Sequence, residues 1–171
     1  MGFIFIIIPE GNLVILIFNM SLSLISGGLF YIFWRTTKHR SKRYFSLLSF
    51  VMLNVLGVYF AMPILRIYFL SFTFWIGVVM LIIMNTLPYF YSRKIALGIQ
   101  KPTKSELGKI YVIYLALIFL FGGTAYANAL YTSSTDAVVL AVITFLFSIF
   151  FFFVSPVMLI KPKEMDKIMK R

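Results

Sequence analysis

The chain has 171 residues, of which 61% are apolar and 19% aromatic, with a mean hydropathy of +0.98 and a formal net charge of +11. This composition is more apolar than the surface of a water-soluble domain tolerates, so it excludes an ordinary soluble globular protein. The absence of Cys and the single His, His39, exclude disulfides, thiolate metal sites and a haem held by two histidines of this chain.

The basic residues are concentrated in three clusters. Five Lys or Arg residues lie in each of the ranges Arg35–Arg43, Arg93–Lys109 and Lys161–Arg171, and Arg66 is the sixteenth. Apolar stretches of membrane length separate the clusters, so retention on the cytoplasmic side and binding to anionic lipid headgroups account for the charge. We expect a lipid bilayer as the partner of these clusters and no nucleic acid.

Five apolar segments are long enough to cross a bilayer, which takes roughly 20 helical residues. The predicted helices are residues 12–34, 44–65, 67–91, 107–131 and 137–160. Backbone polar groups need partners inside lipid, and the alternating pattern of a barrel strand is absent, so these segments are expected to be helical. The sequence therefore predicts an all-α integral membrane protein, a single transmembrane domain over residues 1–171 built as a bundle of five transmembrane helices.

An apolar leader, Gly2–Ile8, precedes the first helix and is separated from it by Pro9-Glu10-Gly11-Asn12. It has no basic residues before it and no small-residue cleavage site close after it, so we expect no removable signal peptide. A short apolar peptide is not expected to float in water. It should lie in the membrane interface, fold back over the bundle or insert against another subunit.

The first helix carries Asn19, Ser23 and Gly27 at i, i+4 and i+8, which places them on one side of the helix. Small and polar residues of this kind mediate helix packing in lipid, so this side is predicted to contact another helix. The alternative interpretation is a polar cavity for a small solute, lined by one asparagine from each of four helices: Asn19, Asn54, Asn85 and Asn128.

The second and third helices are predicted to reverse direction around Pro63–Arg66. Near the end of helix three, Pro88 is expected to loosen or end the helix because proline has no N–H. After it, Thr103–Glu106 has the pattern of a capping box that opens helix four.

Helix four carries Gly123 and Ala127 at i and i+4, which predicts packing against helix one or helix five. Tyr131–Asp136 supplies the polar break before helix five, and Ser155-Pro156 is expected to loosen the last turn of that helix. The basic tail 161–171 is predicted to form a short amphipathic helix.

The number of spans and the charge bias together predict the orientation. Two helices between successive basic clusters return the chain to the same side, and the positive-inside rule makes that side cytoplasmic. The N-terminus is then predicted outside and the C-terminus in the cytoplasm of a multi-pass plasma-membrane protein. Glu10, Arg66 and Asp136 fall at the predicted outer ends, which makes them candidates for a charge pair between Arg66 and one of the two carboxylates. The alternative is that the Arg66 side chain extends to the outer lipid headgroups.

The five predicted helices contain no ionisable residue in their interiors, which disfavours proton pumping, carboxylate-based antiport and voltage sensing by this chain alone. No pair of titratable groups is placed for acid–base or nucleophilic catalysis, and no cofactor-binding or metal site is predicted. The sequence favours a non-catalytic subunit of a larger prokaryotic membrane complex, such as an energy-transducing one, with other membrane subunits as partners. The alternative is the membrane-embedded substrate-binding component of a small-solute transporter.

Overall fold

The computed structural model describes residues 13–37, 41–103, 105–132, 137–161 and 163–165. Within them the chain forms five long helices and no strand. The helices are α1 (Leu13–Thr37), α2 (Lys42–Ile67), α3 (Phe72–Gln100), α4 (Glu106–Thr132) and α5 (Ala137–Val154), followed by a 3-10 helix at Ser155–Leu159. All five are long and apolar enough to cross a membrane, which confirms the predicted multi-span helical fold.

The reversal between α2 and α3 lies at Tyr68–Ser71, a few residues later than Pro63–Arg66. Pro63 is inside α2, where one missing backbone hydrogen bond does not end the helix. The turn is made instead by Leu70, which has a left-handed φ of 58°, and by Ser71, whose Oγ accepts a hydrogen bond from the Phe74 N–H at 3.2 Å. Serine at such a position caps the first turn of a helix, which explains why α3 starts at Phe72 and not at residue 67.

Helix α3 continues far beyond Pro88, to Gln100. Pro88 is fully buried inside the helix, and the turns after it pack Ile95 and Ala96 against the 3-10 helix. This packing supports the backbone at the proline, so the predicted end at residue 91 is too early. The extra turns carry Arg93 and Lys94 out of the apolar span while keeping them on a regular helix.

A tight hairpin joins α3 to α4 through two glycines whose backbones touch. A Cβ added to Gly108 would lie 2.6 Å from the Gly98 oxygen and 2.6 Å from the Pro102 Cα. The Lys101 N–H donates to the Leu97 carbonyl at 2.9 Å and closes α3. The two helices can approach this closely only because neither glycine has a side chain.

Helix α5 lies at the centre of the bundle. It runs antiparallel to α2, with which it shares the largest interface, and it also contacts α3 and α4. Helix α1 packs mainly against α2 and so lies at the edge. As expected from Ser155-Pro156, the α-helical part of α5 ends there and tightens into the 3-10 helix.

Candidate functional site

The α2–α5 interface is the largest helix–helix contact in the described part of the chain. Gly57 faces the ring of Phe152, and a Cβ at this glycine would meet two ring carbons at 2.9 Å. Ser148 is fully buried and its Oγ donates to the Gly57 carbonyl at 2.6 Å. Ala61 and Ala141, each 1% exposed, continue the contact toward the other end of the helices. Small residues bring the two backbones together, and the hydroxyl adds a hydrogen bond between them.

At one end of the bundle the start of α2 holds the end of the 3-10 helix. The Arg43 guanidinium donates from Nη1 to the Leu159 carbonyl at 2.7 Å and to the Ile160 carbonyl at 3.4 Å. The Ser46 hydroxyl donates to the carbonyl of Met158. These carbonyls have no partner within the helix, so a cation at this terminus satisfies them and complements the helix dipole. We call this the basic end, because residues of all three basic clusters lie here.

A small apolar core stabilises the basic end. It consists of Ile95, Ala96, Val157 and Ile160, with Ile99, Phe153 and Met165 packed around them. Met165 belongs to the basic tail, and it packs against this core. The rest of the tail that was predicted to be an amphipathic helix, residues 166–171, lies outside the described residues.

An ion pair crosses the same region. Arg93 Nη2 of α3 lies 3.5 Å from Glu164 Oε2 of the tail, with side chains 76% and 45% exposed. At this exposure an ion pair stabilises a protein by about 1 kcal/mol or less. It links the tail to α3 without locking it there.

An open cavity of about 800 Å³ lies between α3 and the start of α4 at the basic end. We call it the basic-end cavity. Its lining residues are Leu87, Pro88, Tyr91, Arg93, Lys94, Ile95, Leu97, Ser105, Glu106, Leu107 and Phe153. The lining combines apolar side chains with two cations, one carboxylate and one hydroxyl.

The residues predicted for the packing side of α1 are separated by the structure. Asn19 is 6% exposed, and Ser26, seven residues later, is 8% exposed. Ser23 and Gly27 are exposed, and no heavy atom of the described chain lies within 4 Å of a Cβ built at Gly27. At 3.6 residues per turn, i+7 returns within about 20° of the starting direction whereas i+8 has rotated by about 80°. The buried stripe of α1 therefore follows Asn19 and Ser26.

The remaining candidates for packing or ligand binding lie apart from one another. Asn54 on α2 is half-buried, and its Nδ2 donates to the Phe50 carbonyl of its own helix at 2.8 Å. On α4, Gly123 is exposed with no described heavy atom within 4 Å of a built Cβ, and Ala127 is half-buried. Helix α5 does contact α4, through Gly122 and through the Tyr114 hydroxyl, which donates to the Leu146 carbonyl at 2.8 Å. The candidate residues thus lie on three different helices, α1, α2 and α4.

Of the three charges predicted to lie at the outer ends, the structure describes only Arg66, in the last turn of α2. Glu10 and Asp136 lie outside the described residues, so the proposed pairing stays a prediction.

The α2–α5 interface and the basic-end cavity were missed by the sequence reasoning. A signal for the first existed in Gly57 and Ala61 at i and i+4, together with Ala141 and Ser148 spaced seven apart on α5. For the cavity there was none, since its formation depends on α3 continuing through Pro88 and on the close hairpin at Gly98 and Gly108.

Hydrogen-bonding side chains inside the spans mostly bond to the carbonyl three or four residues earlier in their own helix, as Ser21, Ser26, Thr86 and Thr144 do. These four hydroxyl groups therefore donate within their own helix and not to a side chain that could act as a base. In the part of the chain that the structure describes, no three His, Cys, Asp or Glu residues are grouped as metal ligands.

Comparison with known proteins gives no relative for this arrangement: no family model matches the chain, and neither the curated proteins nor the solved structures contain a significant match.

Proposed function

We propose that this chain is a non-catalytic integral membrane subunit with a structural or assembly role in a larger membrane complex. Its basic end faces the cytoplasm of a plasma membrane and its N-terminus lies outside. The cofactors and catalytic groups of such a complex belong to companion chains, which pack against α1.

The position of α1 supports this proposal most directly. This helix packs mainly against α2, so most of its circumference is turned away from the rest of the chain. On that outward surface lie Ser23 and Gly27, whose small size allows another helix to approach closely. Lipid requires no such residues, because a lipid-facing position is satisfied by any large apolar side chain.

The test is purification in a mild detergent with identification of companion chains. Stoichiometric companions are expected to copurify with the unmodified chain. Replacing Ser23 and Gly27 together by Leu should release them, since the added side chains prevent close approach of another helix, while the thermal stability of the chain itself stays the same.

Ser21→Leu is the matched control. Ser21 is also exposed on α1, but it lies about 120° round the helix from Gly27, counting 100° per residue. Companions should remain bound to this variant. A chain that purifies alone and monodisperse would rule out the subunit role.

One observation favours the alternative, a binding component for a small polar solute. The Asn85 side-chain oxygen on α3 is buried and has no hydrogen-bond partner among the described atoms. A buried acceptor without a partner is costly, and a donor group on a solute would satisfy it. If this is its role, Asn85→Leu should weaken stabilisation of the chain by that solute while leaving companion binding intact.

The orientation has its own measurement. Single cysteines placed at Ser41 and at Ser71 lie at opposite ends of α2 and should react with membrane-impermeant reagents from opposite sides. In intact cells only the Ser71→Cys variant is expected to react. Labelling of the Ser41→Cys variant alone would contradict the proposed orientation and indicate the opposite one.

A further inference from the structure

The basic-end cavity has two chemically different halves. Leu87 and Pro88 lie in the apolar part of α3, whereas Lys94 lies seven residues further along the same helix, about 10 Å toward the loop at 1.5 Å per residue. Phe153 extends this apolar wall, whereas Leu97 and Leu107 lie at the same end as the charged residues. A molecule that fills this space must be apolar over much of its length and polar at one end.

The polar half carries charges of both signs. Arg93 and Lys94 contribute two cations, and Glu106, in the first turn of α4, contributes one carboxylate. The Lys94 Nζ lies 5.7 Å from the centre of the Tyr91 ring, a cation–π contact that keeps the ammonium beside the cavity. Ser105 adds a hydroxyl.

We propose that the basic-end cavity binds one glycerophospholipid whose headgroup carries a hydrogen-bond donor. The phosphate is held by Arg93 and Lys94, an acyl chain lies along Leu87 and the neighbouring apolar residues, and Glu106 accepts a hydrogen bond from the ammonium or hydroxyl of the headgroup. The proposal concerns one defined site and goes beyond the general attraction of basic clusters to a membrane.

Charge complementarity and the division of the lining argue for this occupant. A free phosphate ion would contact the cations and leave the apolar wall in water, which costs free energy in proportion to its area. A neutral apolar molecule would offer no charged or hydrogen-bonding group to Glu106 or to the two cations. A phospholipid satisfies both halves at the depth where the bilayer places its own phosphates.

The tail competes with this lipid. Glu164 lies 3.5 Å from Arg93, and the two side chains are 45% and 76% exposed, so the pair is weak enough to open when a phosphate approaches. Removing the Glu164 charge should therefore strengthen lipid binding. A variant that merely fails to fold would not produce such a gain.

The experiment reconstitutes the purified full chain in nanodiscs of phosphatidylcholine containing a minor fraction of phosphatidylethanolamine or phosphatidylglycerol. Lipid retained after transfer to detergent is counted by native mass spectrometry. One phosphatidylethanolamine or phosphatidylglycerol molecule should stay bound in preference to phosphatidylcholine, whose headgroup has no N–H or O–H donor. Glu106→Gln should reduce this preference.

Charge variants in the same loop separate a site from a surface effect. The double variant Arg93→Gln with Lys94→Gln should lower retention about 30-fold, because each basic residue at a membrane surface contributes about fivefold. Lys101→Gln with Lys109→Gln removes the same charge from the same cluster at residues that do not line the cavity, so retention should hold. Glu164→Gln should raise retention about twofold to threefold.

Three outcomes overturn the proposal. Equal losses in the two double variants would leave only a diffuse charge effect. Equal retention of phosphatidylcholine would remove the role of Glu106 and the headgroup donor. Displacement of the lipid by millimolar inorganic phosphate would assign the cations to a soluble anion.

Discussion

Gly27 of α1 and Gly57 of α2 lie in helices of similar apolarity, yet their surroundings are opposite. The Cβ position of Gly57 is already occupied by the ring of Phe152, whereas that of Gly27 is open. Helix α2 therefore uses its glycine to contact α5 within the chain, while α1 leaves its own glycine on the outside. A small residue in a membrane helix thus permits another helix to approach closely. Whether a helix does so at that residue depends on the fold.

Gly57→Leu should have the largest effect on stability. Four added carbons would overlap Phe152, and overpacking of this kind costs about 3 kcal/mol or more. We expect a large fall in the thermal unfolding temperature of the detergent-solubilised chain. Gly27→Leu adds the same atoms to open space and should leave that temperature unchanged or slightly higher. Equal falls in the unfolding temperature of the two variants would contradict the close contact between α2 and α5.

Gly108→Ala tests whether backbone contact has the same consequence at the hairpin between α3 and α4. The added Cβ would lie 2.6 Å from the Gly98 oxygen, and a backbone cannot move aside as a flexible side chain can. We expect a loss of roughly 2 kcal/mol in the free energy of unfolding. Gly123→Ala on the same helix is the control, since nothing described contacts that glycine, and the higher helix propensity of alanine should make it neutral or stabilising.

Arg43→Gln should give a smaller effect at the basic end of the α2–α5 interface. The substitution removes the charge that binds the Leu159 and Ile160 carbonyls, which is expected to cost about 1 kcal/mol. Lys42→Gln, one residue earlier and exposed, removes the same charge without that contact. Chemical denaturation should give a lower midpoint for Arg43→Gln than for Lys42→Gln. Indistinguishable midpoints would show that the contact of Arg43 with these carbonyls does not stabilise the fold.

Ser148→Ala should have the smallest effect. The Gly57 carbonyl lies within a helix and already has a backbone donor, so loss of the hydroxyl removes only its second hydrogen bond. Measured values for hydrogen bonds between membrane helices average about 0.6 kcal/mol. Steric trapping in detergent resolves a difference of this size, and a loss as large as that of Gly57→Leu would mean that the hydroxyl, and not the small residues, holds α2 to α5.

The placement of some candidate residues could be predicted from the sequence. Asn19 is a polar residue in an apolar helix, and its burial follows the expectation that such a side chain faces protein. Ser23 and Gly27 could not be placed in the same way. Residues at i, i+4 and i+8 lie at increasing angles around the helix, and the sequence does not show how far around the helix the contact with its neighbour extends. Asn54 shows a second difficulty, since an amide that bonds back to the Phe50 carbonyl looks the same in sequence as one that reaches across to another helix.

The sequence by itself determined that five helices form, where three of their four connections fall to within a few residues, and that the basic clusters share one end. Charge, length and backbone hydrogen bonding in lipid decide these properties locally, without reference to any neighbour. Only the tertiary structure decided that α5 pairs with α2, that α3 continues through Pro88 to Gln100, and that a cavity forms beside Arg93 and Lys94. The physical reason is that lipid and helix surface are equally apolar, so hydropathy carries no contrast between them, and close steric fit at residues such as Gly57 and Gly108 selects the neighbours.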